Sequence, residues 1–172
     1  EASTELPQIP RAAATTARPG TRVALTKIRR TTAKRMAEAK RDIPHFYASA
    51  DIAMDEAVRL KEALVQLGGE YEHVTFTHLV LKGVGLALRR VPEVNASLDG
   101  DALVLHGEAN VGMATAIDDG LVVPVVRGCD SAPLAAIVQQ ARGLIERARA
   151  GKFAADDLSG STFTVSNLGM FP

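Results

Sequence analysis

One cysteine, Cys129, is all the thiol chemistry this sequence offers, which excludes an intrachain disulfide and any cysteine-built metal cage. Such a composition suits a reducing compartment such as the cytoplasm. Charge of one sign is lacking as well, because 20 Lys and Arg residues balance 20 Asp and Glu residues. No global field therefore draws the chain to nucleic acid, to a membrane surface or to a polyanionic substrate. Aromatic residues make up 4% of the chain and do not interleave with its basic residues, so the usual nucleic-acid-binding signature is missing. No apolar run approaches the roughly 20 residues that span a bilayer, and residues 1–20 lack the apolar centre of a secretory signal. A soluble, untargeted chain is expected.

Several catalytic patterns are also missing. There is no GxxxxGK[ST] phosphate loop and no GxSxG nucleophile elbow. Gly83-Val84-Gly85 lacks the third glycine and the later acidic partner of a dinucleotide loop, so these glycines are expected to permit close packing. The four histidines, His45, His73, His78 and His106, have no close ligand spacing, and no metal site is expected.

What is present is enough apolar material, 47% of 172 residues, for one ordinary domain with a core. Residues 1–20 are rich in Ala, Thr and Pro with little to bury, the composition of a partly extended linker. From Thr26 to Asp42 the spacing predicts a helix with Ile28, Thr32, Met36 and Ala39 on one side. Ile43-Pro44 ends it, and the alternation in HFYASADIAM predicts a strand. A second helix is expected from about Asp55, presenting Leu60, Leu64 and Leu67 and stopping at Gly68-Gly69. The apolar run Thr77 to Arg90 predicts a helix at the centre of the core.

Short strands are expected at Ala102–Leu105, Ala109–Ile117 and Leu121–Val126, the last two paired across Asp118-Asp119-Gly120. Ser131 and Pro133 open a further helix that runs through Arg149 to Gly151. Because helices and strands do not alternate strictly, an α/β or α+β two-layer sandwich, a mixed sheet packed with helices, fits better than a doubly wound fold.

Three candidate sites emerge. Pro44-His45-Phe46-Tyr47 sets a ring pair at a strand entrance, where it can line a pocket or simply pack. The basic run Lys27, Arg29, Arg30, Lys34, Arg35, Lys40 and Arg41 can attract a phosphorylated ligand or be a solvated helix face. Ser166 and Asn167 end a β-prone run just before Gly169. They read equally as a polar turn or as a site in which Ser166 donates a hydrogen bond to an oxyanion.

Four ordered stretches carry a resemblance: KIRRTTAKRM, IPHFYASADI, PEVNASLDGDALVLHGEANVGMATAIDDGLVVPVV and DLSGSTFTVSNLGMF. From about Val23 onward the chain resembles the catalytic core of the dihydrolipoamide acyltransferase component of 2-oxo acid dehydrogenase complexes. The resemblance implies a chloramphenicol acetyltransferase-like sandwich over residues 21–172, assembling as trimers into a core of 24 or 60 subunits. It implies a linker over 1–20 leading from a separate lipoyl-bearing domain. Decarboxylase and dihydrolipoamide dehydrogenase components are the implied partners, in the bacterial cytoplasm or the mitochondrial matrix, the cytoplasm being preferred.

The implied reaction moves an acyl group, expected to be acetyl, from dihydrolipoamide to coenzyme A. Ser166 takes the role of oxyanion donor, with Asn167 as a nearby binding contact, and His45 and Phe46 match a stretch beside the acyl and lipoamide channel. The family's basic histidine stands in a His-x-x-x-Asp-Gly signature downstream of Ser-Asn-Leu-Gly, and none of the four histidines here lies in one. The expectation is therefore a fragment, incomplete at its C-terminus and inactive alone, with a non-catalytic core subunit as the alternative. A stand-alone small-molecule acetyltransferase shares the fold but needs no tether.

Overall fold

The computed structural model describes residues 20–117 and 120–169. The linker expected over 1–20 lies outside them except for the exposed Gly20, as do Asp118 and Asp119 of the expected turn. Among the described residues one compact unit ends at His45 and also takes in Gly120, while the other holds 46–117 and 121–169.

The first unit is built on helix α1, Lys27–Asp42, capped by the Thr26 hydroxyl, which accepts from the Arg29 amide at 3.3 Å. Lys40 and Arg41 complement the dipole in its last turn, and the helix ends at Ile43 before Pro44. No residue of α1 is buried, so among the described residues nothing covers the apolar side traced from Ile28 to Ala39 as a core would.

The strand expected over HFYASADIAM does not form, and residues 43–54 have no regular secondary structure. Alternation gives a strand only where a neighbouring strand takes up its backbone groups, and this segment has none among the described residues. Phe46, Tyr47 and Ile52 are accordingly 89%, 84% and 76% exposed.

The second unit begins with helix α2, Asp55–Leu67, stopped by Gly68 and Gly69, both at positive φ. Its first turn carries Asp55 and Glu56, as the dipole favours, but its leucine face is not buried. Helix α3, Phe76–Arg90, buries His78, Leu81, Gly85 and Leu88. That spacing is one stripe, so α3 packs on one side rather than being wrapped all round as its apolar run suggested.

A hairpin that was not anticipated follows. Strand β1, Ala96–Asp99, pairs antiparallel with β2, Ala102–Leu105, through Gly100 at φ +56°. Glycine at the first position of a two-residue loop is the type II′ preference, and Asp-Gly-Asp is the signal that could have found β1. Buried Asn95 ties the hairpin base, donating to the carbonyls of His106 and Glu108.

The predicted pairing across residues 118–120 is present in two pieces. Strand β3, Val111–Met113, pairs with β6, Val125–Val126, and β4, Thr115–Ile117, pairs with β5, Gly120–Val122. Pro124 separates β5 from β6; it has no amide to donate, but its carbonyl accepts from Met113 at 2.8 Å. Strand β7, Phe163–Val165, lies parallel to β3 on its other edge, giving the order β6-β3-β7.

Helix α4, Leu134–Arg149, buries Ile137, Val138, Ala141, Leu144 and Ala148 and ends before Gly151 at φ +65°. The core joins Leu81 and Leu88 of α3 and Ile137, Ala141 and Leu144 of α4 to Val111, Met113 and Val126 of the sheet. Helices α3 and α4 thus form one layer of this unit and the mixed sheet the other, as expected. Gly85 sets their approach to the β6–α4 connection, since a Cβ there would lie 2.3 Å from the Cys129 carbonyl carbon. Lys82 reinforces the contact, donating to the carbonyls of Cys129, Asp130 and Ala132 at 3.3, 3.0 and 2.9 Å.

Candidate active site

Strand β7 delivers Ser166. Its entrance is fixed by side chains that supplement the ladder: the Asn110 amide donates to Thr162 Oγ1 and the Gly112 amide to Ser161 Oγ. Gly112 gives these side chains room, because a Cβ there would meet Val123 Cγ1 at 2.7 Å and Ser161 Oγ at 2.8 Å and displace them. The register runs Val111 to Phe163, Gly112 to Thr164 and Met113 to Val165, and the Ala114 amide closes it on the Val165 carbonyl at 2.9 Å.

Beyond Val165 the chain leaves the sheet. Ser166 is exposed, and its hydroxyl has no hydrogen-bond partner among the described residues. Asn167 is exposed but engaged at both ends of its carboxamide. Nδ2 donates to Thr77 Oγ1 at 3.0 Å, and Oδ1 accepts the Gly169 amide at 2.9 Å. The structure therefore brings Ser166 and Asn167 to the same loop and adds Thr77, a residue that sequence reasoning missed. Nothing in the local sequence signals Thr77, which stands ninety positions from its partner.

His45 belongs to the first unit. Its Nδ1 lies 2.7 Å from the Ile43 carbonyl and its Nε2 lies 3.0 Å from Lys40 Nζ. A carbonyl can only accept and an ammonium can only donate, so this pattern is met by the Nδ1–H tautomer with Nε2 as acceptor. Phe46, next in the chain, belongs to the second unit and is almost fully exposed.

Two of the remaining histidines have other work. His78 is buried, and its Nδ1 accepts the Thr75 amide at 3.0 Å, closing the first turn of α3. Burial, then the nearby Arg142 charge, holds its pKa below the usual histidine value and keeps the ring neutral. His106 Nε2 lies 2.7 Å from Ser97 Oγ across the hairpin. Burial likewise pushes the Cys129 thiol up to about 11, so it is no nucleophile near neutral pH.

Two of the open hollows among the described residues are lined by neither Ser166 nor His45. One, of about 350 Å³, is lined by His106, Glu108, Asn110, Ser161 and Thr162 with Gly107 and Gly160. The other, of about 360 Å³, lies along α1 between Arg30, Thr31, Lys34, Arg35 and Glu38. The latter carries part of the basic run, with Lys34 and Glu38 paired at 3.8 Å.

A mixed sheet that ends one parallel strand in an exposed serine, backed by two helices, is an α/β sandwich, as the resemblance to the chloramphenicol acetyltransferase-like fold implied. Residues 17–172 match the family of 2-oxoacid dehydrogenases acyltransferase (catalytic domain), and the chain belongs to that family. The mitochondrial dihydrolipoyllysine-residue acetyltransferase component of the pyruvate dehydrogenase complex from Schizosaccharomyces pombe is 38% identical over 148 residues. The match covers 86% of this chain and 31% of that protein.

Two solved structures agree. The dihydrolipoamide acetyltransferase of Azotobacter vinelandii, in which a serine, a histidine and an asparagine have been investigated for their role in catalysis, superposes with a TM-score of 0.84. It is 27% identical, covering 96% of this chain and 70% of that one. The cubic core of the pyruvate dehydrogenase multienzyme complex superposes with a TM-score of 0.77 at 31% identity, with the same coverages. The chain spans about a third of the length of the curated relatives it matches.

Proposed function

We propose that this chain supplies the acyltransferase fold and the oxyanion donor of a dihydrolipoamide acyltransferase, moving an acetyl group from dihydrolipoamide to coenzyme A. The observation that carries this reading is Ser166: a hydroxyl with no partner among the described residues, set at the end of β7 in a chain of this family. Coenzyme A enters as a thiol, mostly protonated at neutral pH because a free thiol titrates near 8.5. A base takes its proton, the thiolate adds to the thioester carbonyl, and the carbonyl oxygen becomes an oxyanion. Ser166 Oγ–H donates to that oxygen, the adduct collapses to acetyl-coenzyme A, and the departing dihydrolipoyl sulfur takes the proton.

The base belongs to the family's His-x-x-x-Asp-Gly signature, which none of the four histidines here occupies. These 172 residues alone are therefore proposed to be inactive. His45 and Phe46 are proposed contacts of the acyl-lipoamide donor, and the basic face of α1 is a proposed neighbour of the coenzyme A phosphates. Self-association into trimers and a larger core, with a lipoyl group on a separate domain and decarboxylase and dehydrogenase partners, completes the proposal. A bacterial cytoplasm or a mitochondrial matrix is its setting.

The test is steady-state acyl transfer by the full-length gene product with acetyl-, branched-chain and succinyl-dihydrolipoamide. Ser166→Ala is expected to lower kcat by about 10²–10³, the usual loss for one oxyanion donor. An unchanged kcat removes the serine from the mechanism, and a preference for another donor replaces acetyl.

A further inference from the structure

We infer that Thr77 is a positioning residue for Ser166, acting through the carboxamide of Asn167. The inference rests on the oxyanion role proposed for Ser166 and asks what holds that hydroxyl in place. The sheet does so only as far as Val165, whose carbonyl accepts the Ala114 amide. Past that point, among the described residues, the hydrogen bonds of the loop are those that Asn167 makes to Thr77 and Gly169.

The orientation of the carboxamide is set by its partners. The Gly169 amide can only donate, so the atom facing it at 2.9 Å is Oδ1, and Nδ2 is left to face Thr77 Oγ1 at 3.0 Å. Asn167 is thus a bridge: one end folds its own loop and the other fastens that loop to the first turn of α3.

Thr77 is a suitable anchor for two reasons. As a β-branched residue in a helix Thr77 is confined largely to two χ1 rotamers, so its hydroxyl has few positions to choose from, and the bond from Asn167 Nδ2 selects one of them. The backbone of its helix is itself pinned, by the contact of Gly85 with the backbone at Cys129 and by the three carbonyls on Lys82. Ser166 is next to Asn167 in the chain, so its Cα moves with the bridge. An oxyanion donor that strays by 1 Å can lose about 10²-fold in rate, which makes such a fastening worth having.

The experiment uses the full-length gene product and four variants: Thr77→Val, Thr77→Ser, Ser166→Ala and the double variant Thr77→Val with Ser166→Ala. Thr77→Val keeps the shape and removes the acceptor. It is expected to lower kcat about tenfold or more, leaving the coenzyme A KM and the melting temperature in place, as loss of a transition-state contact does. Thr77→Ser restores the hydroxyl and is expected to restore kcat. The double variant is expected to be no slower than Ser166→Ala, because Thr77 acts only through the serine.

Hydrogen exchange gives a readout independent of turnover: the Gly169 amide should exchange faster in Thr77→Val. The positioning role is overturned if Thr77→Val stays within about twofold of wild-type kcat while Ser166→Ala is impaired. It is equally overturned if the two losses multiply in the double variant. If Ser166→Ala itself keeps full kcat, the oxyanion reading falls and the positioning role falls with it.

Discussion

Gly83 and Gly85 stand two positions apart on α3, and a methyl group has opposite effects at the two. At Gly83 an added Cβ meets nothing within 4 Å, so Gly83→Ala should raise stability by roughly 0.5–1 kcal/mol through helix propensity. At Gly85 it meets the Cys129 carbonyl carbon at 2.3 Å and the Asp130 nitrogen at 2.6 Å, both backbone. Gly85→Ala should therefore cost about 1–3 kcal/mol or more, as overpacking does. Urea midpoints of the two variants check the pair, and equal shifts would contradict the geometry. The sequence marked both glycines as packing residues but carries no record of which side of the helix meets a neighbour. Ser166 was more legible, because the β-prone run ahead of it and the glycine behind it are both local features. Thr77 was not, since its contact joins positions ninety apart.

At the scale of the element, the N-terminus of α3 is closed by an imidazole where a Glu or Gln more often serves. Its ring works only when Nδ1 is unprotonated, and burial with Arg142 holds its pKa below the ordinary 6.5. The unfolded chain therefore binds a proton at His78 below about pH 6.5 that the folded chain refuses. Stability should fall as the pH drops from about 6.5 toward the folded pKa, and be fully present above 6.5. His78→Asn, which offers an acceptor that does not titrate there, should flatten this part of a denaturation-versus-pH curve. Helices α2, α3 and α4 were readable because their caps and stops are local chemistry: Gly68 and Gly69 after α2, Gly151 after α4. The strand expected over HFYASADIAM failed for the converse reason, since a strand depends on a neighbour that its own residues do not specify.

For the molecule as a whole, Cys129 is a built-in reporter of opening. It is fully buried, bonded to the Val126 carbonyl, and its thiol is pushed up to about 11. A thiol reagent at pH 8 should leave the folded protein untouched and label it at a rate that rises with denaturant in step with unfolding. Rapid labelling without denaturant would mean that the β6–α4 connection opens on its own. The expected core of helices on a mixed sheet was legible from periodicity, whereas the split of the long hairpin into two pairs was not. Pro124 and Ala114 divide it by geometry that alternation does not encode. The pinning of α3 carries a consequence for how such a chain can vary in length. Lys82 and Gly85 meet the backbone of the β6–α4 connection and Thr77 meets the Asn167 loop, so this stretch of helix behaves as a ruler with three marks. One inserted residue between Thr77 and Lys82 would turn the first mark by about 100° and shift it by about 1.5 Å relative to the other two. Length changes are therefore to be expected at hairpin tips such as Gly100-Asp101, and not between residues 77 and 85.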